Sequence, residues 1–512
     1  MLVTLPILVP LIAAAACLAC WGRVRVQRSI GVAAGVAMVA AASVLLWRVW
    51  EDGPQVVSMG GWAAPFGIAL VADLLSAVMV LLTAVVGLAI VVYSIGGTST
   101  ARAANGHTAL SLSMLGAVSG AFVSGDLFNL YVWFELMLMS SFVLLTLGGE
   151  RAQLEGAIKY VTLNLLSSMV FLAGVGLVYA ATGTLNMADL ARRLDGLEDP
   201  VRVTALGAPL LVAFAIKAAA FPLFSWLPAS YHTPPPVVSA LFAGLLTKVG
   251  VYALMRATTL LFDQEMALMG EAVLWVAGLT MVSGVLGAVS QEDVRRILSF
   301  HIVSQIGYML MGLGLGLVVA AREGLTDETA VLAMSGAVFY IVHHIVVKTN
   351  LFLIAGVVVS ERGTGELSRL GGMARTHPWL AGLFLFSALS LAGIPILSGF
   401  WAKLVLVRAG LEAGSFWIVA ASLVVSLLTL FSMIKIWTRV FWGEAPERGG
   451  SEAGAGWSRM APVVGLALVT LAIALGAPVV FEISIRTGET VLDPSGYVHA
   501  VFGAGPPGKG AE

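Results

Sequence analysis

The chain has 512 residues, of which 59% are hydrophobic and only 11% charged, and its formal net charge is −1. A soluble domain carries about a quarter of its residues charged, so most of this surface must face lipid or other apolar partners. A net charge this close to zero also excludes a basic field for nucleic acid.

A bilayer core needs roughly 20 apolar residues per helix, and on that scale the sequence predicts an all-α polytopic membrane protein of about 14 spans. They fall near 2–22, 28–47, 72–96, 107–124, 127–148, 154–182, 204–231, 235–262, 271–290, 295–321, 329–360, 378–409, 414–442 and 457–480. No positive charge precedes the first, and Arg23, Arg25 and Arg28 follow it. It therefore reads as a retained span and not a signal peptide. Cys17 and Cys20 have CxxC spacing inside it, without a second pair to complete a metal site, and read as packing residues. The arginine bias of the loops places both termini outside. The loops leave no room for a sizeable soluble domain, and the last ~30 residues, ending GAGPPGKGAE, read as a loose tail.

Two spans are interrupted by proline, at Pro222 in KAAAFPLFSWLPASYHTPPP and at Pro395 in LAGIPILSGFWAK. Proline removes an amide donor and clashes with the preceding turn. Inside a membrane the freed carbonyls need polar neighbours or water. Two such spans, about five spans apart and each close to a lysine, point to an inverted-repeat transporter with broken helices at its ion site.

Charge at bilayer depth costs several kcal/mol, so it needs a partner, water or a function. Glu135 lies inside the fifth span, Lys217 one turn before Pro222, Lys248 in the middle of the eighth span, and Lys403 after Pro395. His344 and Lys348 are four residues apart, which gives them one helix face, and Tyr340 extends that face by a turn. Burial lowers a lysine pKa and a carboxylate raises it, so a lysine alternately paired with and parted from Glu135 suits proton transfer. A histidine titrates near neutral pH and can bridge such groups. His343 points to another face. His301 and His232, near helix ends, read as solvated, as do Asp73 and Asp126. Lys159, four residues after Glu155, reads equally as a surface pair, a snorkelling side chain or an access site, and Lys435 as snorkelling.

The runs DLFNLYVWFELMLMSSF, FAIKAAAFPLFSWLPASYHTPPPVVSALFAGLLTKVGVYAL, DVRRILSFHIVSQIGYML and LAGIPILSGFWAKL resemble the antiporter-type subunits shared by Mrp multisubunit Na+/H+ antiporters and respiratory complex I. The likeness covers about residues 70–445 and is nearest to the Mrp D-subunit branch. It implies 14 helices: helices 1–3 over residues 1–106, two inverted five-helix repeats over 107–262 and 263–442, with helices 7 and 12 broken, and helix 14 with a tail over 443–512. It implies a proton or ion path through Glu135, Lys217, Lys248, His344, Lys348 and Lys403. It also implies partner membrane subunits, including a larger A-type subunit, Na+ and H+ as cargo, and a multi-pass cell-membrane location. Complex I subunits of this type differ: one typically has histidine where Ala243 stands and a long lateral helix, whereas no amphipathic helix is expected here after residue 480. Another usually has glutamate where Lys403 stands. No nucleotide, metal or redox-cofactor motif is visible, so the chain is expected to be a secondary antiporter subunit and not an enzyme. The alternatives are a proton-translocating subunit of a redox-driven complex and a purely structural membrane scaffold.

Overall fold

The computed structural model describes residues 1–444 and 456–503. In chain order its helices are α1 (Leu5–Ala19), α2 (Val24–Asp52), α3 (Leu74–Gly97), α4 (Thr100–Ala104), α5 (His107–Phe122), α6 (Leu127–Thr146) and α7 (Arg151–Thr182). Then come α8 (Met187–Asp195), α9 (Pro200–Ala218), α10 (Trp226–Ser230), α11 (Pro236–Arg256), α12 (Met266–Val289), α13 (Val294–Glu323) and α14 (Glu328–Arg362). The last are α15 (Met373–Thr376), α16 (Pro378–Ala392), α17 (Ser398–Glu412), α18 (Phe416–Trp437), α19 (Trp457–Leu475), α20 (Ala477–Leu492) and α21 (Ser495–Gly503). Between α2 and α3 an antiparallel hairpin pairs β1 (Gln55–Ser58) with β2 (Ala69–Ala72).

Aspartates fix several helix starts. Asp73 accepts from the Ser76 amide at 3.0 Å, Asp126 from Asn129 at 2.8 Å, Asp293 from Arg296 at 3.0 Å and Asp327 from Thr329 at 2.8 Å. Each satisfies an amide that a first helical turn leaves without a partner. At the other end of α1, buried Gln27 donates to the Cys17 and Cys20 carbonyls at 3.1 and 3.2 Å.

Among the described residues 12 helices are long and apolar enough to cross a membrane, against about 14 expected from segment length. The difference lies in α5, with 16 residues, and in segment 378–409, which is divided into α16 and α17 of 15 residues each. The chain leaves helical geometry at Ala219 (φ +59°) before Pro222, and at Gly393 (φ +90°) before Pro395. The Phe221 amide after the first departure donates to Thr280 Oγ1 of α12 at 2.9 Å.

Four helices form the centre. The apolar windows of α11 and α13 are 100% buried, that of α14 is 89% and that of α3 is 78%. The corresponding windows of α2 and α19 are only 33% and 39% buried, as expected where lipid or another subunit replaces protein contact. Lys248, His344 and Lys348 stand on α11 and α14, inside this centre.

Three expectations are corrected. The tail is not loose before residue 503: α20 and α21 occupy it, and an amphipathic helix is present after all. One face of α20 buries Ser484, Thr487, Gly488, Val491 and Leu492, a stripe three and four residues apart that packs on α14. His301 is not solvated but fully buried in α13, with Nε2 2.6 Å from Ser432 Oγ; it lies two turns inside the helix, covered by α18. Asp73 is not wet either. The hairpin and the end of α11 enclose it, and it is ion-paired with Arg256.

Candidate functional site

Glu135 stands near the centre of α6, half-buried, and its Oε1 is buried without a protein partner. Lys217, in the last turn of α9, is 4% exposed. Its Nζ donates to the Asn164 carbonyl at 3.2 Å and to Ser168 Oγ at 3.4 Å, both on α7. The expected Glu135–Lys217 ion pair is not closed. Lys217 lies instead 5.9 Å from the ring centroid of Phe134, the residue beside Glu135.

Lys248 is fully buried at the centre of α11 and donates to the Ala243 carbonyl at 2.5 Å. Facing it, α14 supplies His344 and Lys348, also fully buried. Among the described residues neither ring nitrogen of His344 nor Nζ of Lys348 has a hydrogen-bond partner. α11 and α14 pack directly against each other here, so closely that a Cβ at Gly244 would meet Thr349. Three basic groups in one low-dielectric space repel one another strongly when charged, so a proton on one disfavours a proton on the next.

From His344 a polar chain continues toward Lys403. The Tyr340 ring stacks on His344 at 6.3 Å and on Tyr308 at 5.0 Å between centroids. Tyr340 donates its hydroxyl proton to Gln305 Oε1, and Gln305 Nε2 donates to Ser304 Oγ at 2.7 Å. The Tyr308 hydroxyl donates to the Ser422 carbonyl and lies 2.8 Å from Ser426 Oγ. Ser426 in turn accepts from Lys403 Nζ at 2.9 Å. Lys403 also donates to the carbonyls of Leu391 and Ala392 at 3.2 and 3.0 Å. These are the last carbonyls of α16, which have no partner within the helix and carry the negative end of its dipole.

The structure thus brings Lys248, His344, Lys348 and Lys403 into one buried polar array, with Glu135 and Lys217 as a separate group across α7 and α9. Among the described residues none of Lys217, Lys248, Lys348 and Lys403 is ion-paired with a carboxylate. The sequence reading missed Gln305, Tyr308, Ser426, Asn164 and Ser168. Ser422 and Ser426 repeat at four residues on α18, a signal that could have marked a polar helix face. His343 stays beside the array, its ring edge-on to Tyr340 at 5.8 Å between centroids and its Nδ1 2.8 Å from Ser398 Oγ. Lys159 pairs with Glu155 at 2.7 Å, both largely exposed, which selects the surface reading. Lys435 reaches past the end of its helix to Glu292 at 2.6 Å and to the Gln291 carbonyl at 2.8 Å.

Residues 124–429 match the family model described as NADH:quinone oxidoreductase/Mrp antiporter, TM. The chain is 43% identical over 504 residues to the D subunit of the Na+/H+ antiporter of Alkalihalophilus pseudofirmus, covering 98% of this chain and 99% of that one. It is similar to a chain in the structure of the Mrp complex from Dietzia sp., at TM-score 0.88 and 34% identity, covering 98% and 99% of the two chains. A chain of the membrane-bound sulfane sulfur reductase, an archaeal respiratory membrane complex, gives TM-score 0.88 at 26% identity over 98% and 99% of the two chains.

Proposed function

The chain belongs to the family of Mrp-type Na+/H+ antiporter D subunits, and on that premise we propose that its buried basic groups form the relay by which it moves protons or cations. It is a multi-pass membrane subunit of a multisubunit complex. The observation that carries the relay is the burial of Lys217, Lys248, His344, Lys348 and Lys403, with none of these four lysines paired to a carboxylate among the described residues. A static ion-pair scaffold has no use for that arrangement, because unpaired buried charge is costly. A relay needs it, since a group that is only transiently favoured in its charged form can pass its proton on.

Glu135 is assigned to the loading end. Its approach would favour the charged form of Lys217, and its withdrawal would release the proton toward Lys248. From there His344 and Lys348 lead through Tyr340, Tyr308 and Ser426 to Lys403. Glu135, Lys248 and His344 all stand near the centres of their helices, which supports a row running parallel to the membrane through its middle.

The fuller architecture goes with this reading. α5, and α16 together with α17, complete 14 crossings. Residues 107–262 and 263–442 form two inverted repeats, preceded by 1–106 and followed by 443–512. α9 with α10 and α16 with α17 are their broken helices, interrupted at Pro222 and Pro395. Both termini are extracytoplasmic, Na+ and H+ are the cargo, and a larger A-type subunit is among the partners. The 26% identity to a chain of a respiratory complex supports a second reading as a redox-driven pump subunit. The 43% identity to an antiporter D subunit over 98% of the chain favours the first.

The test is Na+/H+ exchange in vesicles carrying the whole complex. Glu135→Ala and Lys217→Ala are each expected to abolish exchange while the complex still assembles. Full exchange by either assembled variant overturns the assignment.

A further inference from the structure

Lys248, Tyr252 and Arg256 follow one another at four-residue spacing on α11. One face of that helix therefore carries an amine, a phenol and a guanidinium, running from its centre to the end beside the hairpin. Beyond Lys248 the groups are tied together. The Tyr252 hydroxyl donates to the Phe122 carbonyl at 2.7 Å and lies 3.0 Å from Ser76 Oγ. Arg256 Nε donates to the Tyr252 hydroxyl at 3.2 Å, and Nη2 to Ser76 Oγ at 3.4 Å. Nη2 is also ion-paired with Asp73 Oδ1, and Asp73 Oδ2 is buried without a protein partner. The rings of Tyr252 and Tyr497 hold the guanidinium, 5.3 and 5.2 Å from their centroids.

We propose that Asp73, Tyr252 and Arg256 form an electrostatic seal on a passage leading from Lys248 to the hairpin end of the helix array. The proposal rests on the reading of Lys248 as part of the ion path. A guanidinium keeps its proton under all ordinary conditions, so Arg256 cannot relay one. Its fixed positive charge, held in low dielectric, repels any proton or cation moving along the column. Asp73 fixes that charge in place. Stability alone gives little reason for the pair, since apolar side chains of the same volume stabilise such a site at least as well. Tyr497 extends the column to α21, the final described helix, so the C-terminal segment bears directly on the seal.

The experiment uses vesicles containing the whole complex, with an imposed pH gradient and no Na+, so that only leak is read. Removing the charge takes away its repulsion of a passing cation, so Arg256→Gln is expected to speed collapse of the gradient about tenfold or more. Tyr252→Phe, which removes one hydroxyl from the tie, is expected to leak in the same direction. The double variant Arg256→Gln/Lys248→Ala is expected to return to the tight baseline, because the passage begins at Lys248. An assembled Arg256→Gln complex without added leak overturns the seal. Leak that persists in the double variant overturns the passage from Lys248. Failure of both Arg256→Gln and Tyr252→Phe to assemble overturns it too, by assigning the cluster a purely structural role. Lys248→Ala alone separates the two readings: if exchange survives it, the relay is wrong, whereas lost exchange with no leak in Arg256→Gln refutes the seal alone.

Discussion

Lys348 and Lys403 are both buried amines, yet they are held in opposite ways. Lys403 gives hydrogen bonds to two end carbonyls of α16 and to Ser426, whereas Lys348 Nζ has no partner among the described residues. Lys403→Met would strand two carbonyls, at a cost of about 1–3 kcal/mol for each buried group left unsatisfied. Lys348→Met would replace a buried, unpartnered amine with an apolar chain of similar length, which removes a desolvation cost. Both variants are expected to lose transport. Thermal unfolding of the purified complex should separate them, with Lys403→Met melting earlier than the parent and Lys348→Met no earlier. Lys159→Ala is the control. Its pair with Glu155 is solvent-exposed, such pairs contribute about 0–1 kcal/mol, and neither transport nor melting should change. The positions of all six charged or imidazole residues were legible in the sequence, because charge inside an apolar run stands out. Their partners were not, since Ser168, Gln305 and Ser426 are ordinary polar residues until folding sets them beside an amine.

At the scale of elements, α20 shows how a packed helix can hide from a hydropathy reading. Its buried face is made of Ser484, Thr487, Gly488 and Val491, not of large apolar residues. Helices packed within membranes use small side chains because these let backbones approach closely. A Cβ added at Gly488 would press on Ser335 and on the Val331 carbonyl of α14. Gly488→Leu is therefore expected to cost about 1–3 kcal/mol by overpacking. Limited proteolysis should then cut at α20 in the variant complex under conditions that leave the parent intact. The two proline interruptions were the reverse case. α9 and α16 end at Ala218 and Ala392, shortly before Pro222 and Pro395, and a missing amide and a fixed φ act locally. The hairpin of β1 and β2 gave no such signal, since its strands are four residues each and one of them, Ala69–Ala72, is entirely buried.

At the scale of the whole molecule, the outer helices present broad apolar faces. The windows of α2 and α19 are 33% and 39% buried, and stacked Trp275 and Trp417 lie 4.6 Å apart between ring centroids on a partly exposed face. Such faces suit lipid or neighbouring subunits. The chain reconstituted by itself is expected to give no Na+/H+ exchange, with activity returning when the full complex is supplied; robust exchange by the chain alone would refute this dependence. Composition and hydropathy by themselves determined that the chain is a membrane protein, roughly how many helices it has, and that several charges lie inside apolar segments, because apolar length and intramembrane charge are properties of single segments. Only tertiary structure decided that Lys248 faces His344 and Lys348, that Lys217 and Glu135 stand apart, and that Asp73 closes on Arg256. Those relations join α11 with α14, α6 with α9 and α3 with α11, helices distant along the chain, and no periodicity within one helix can state which face meets which.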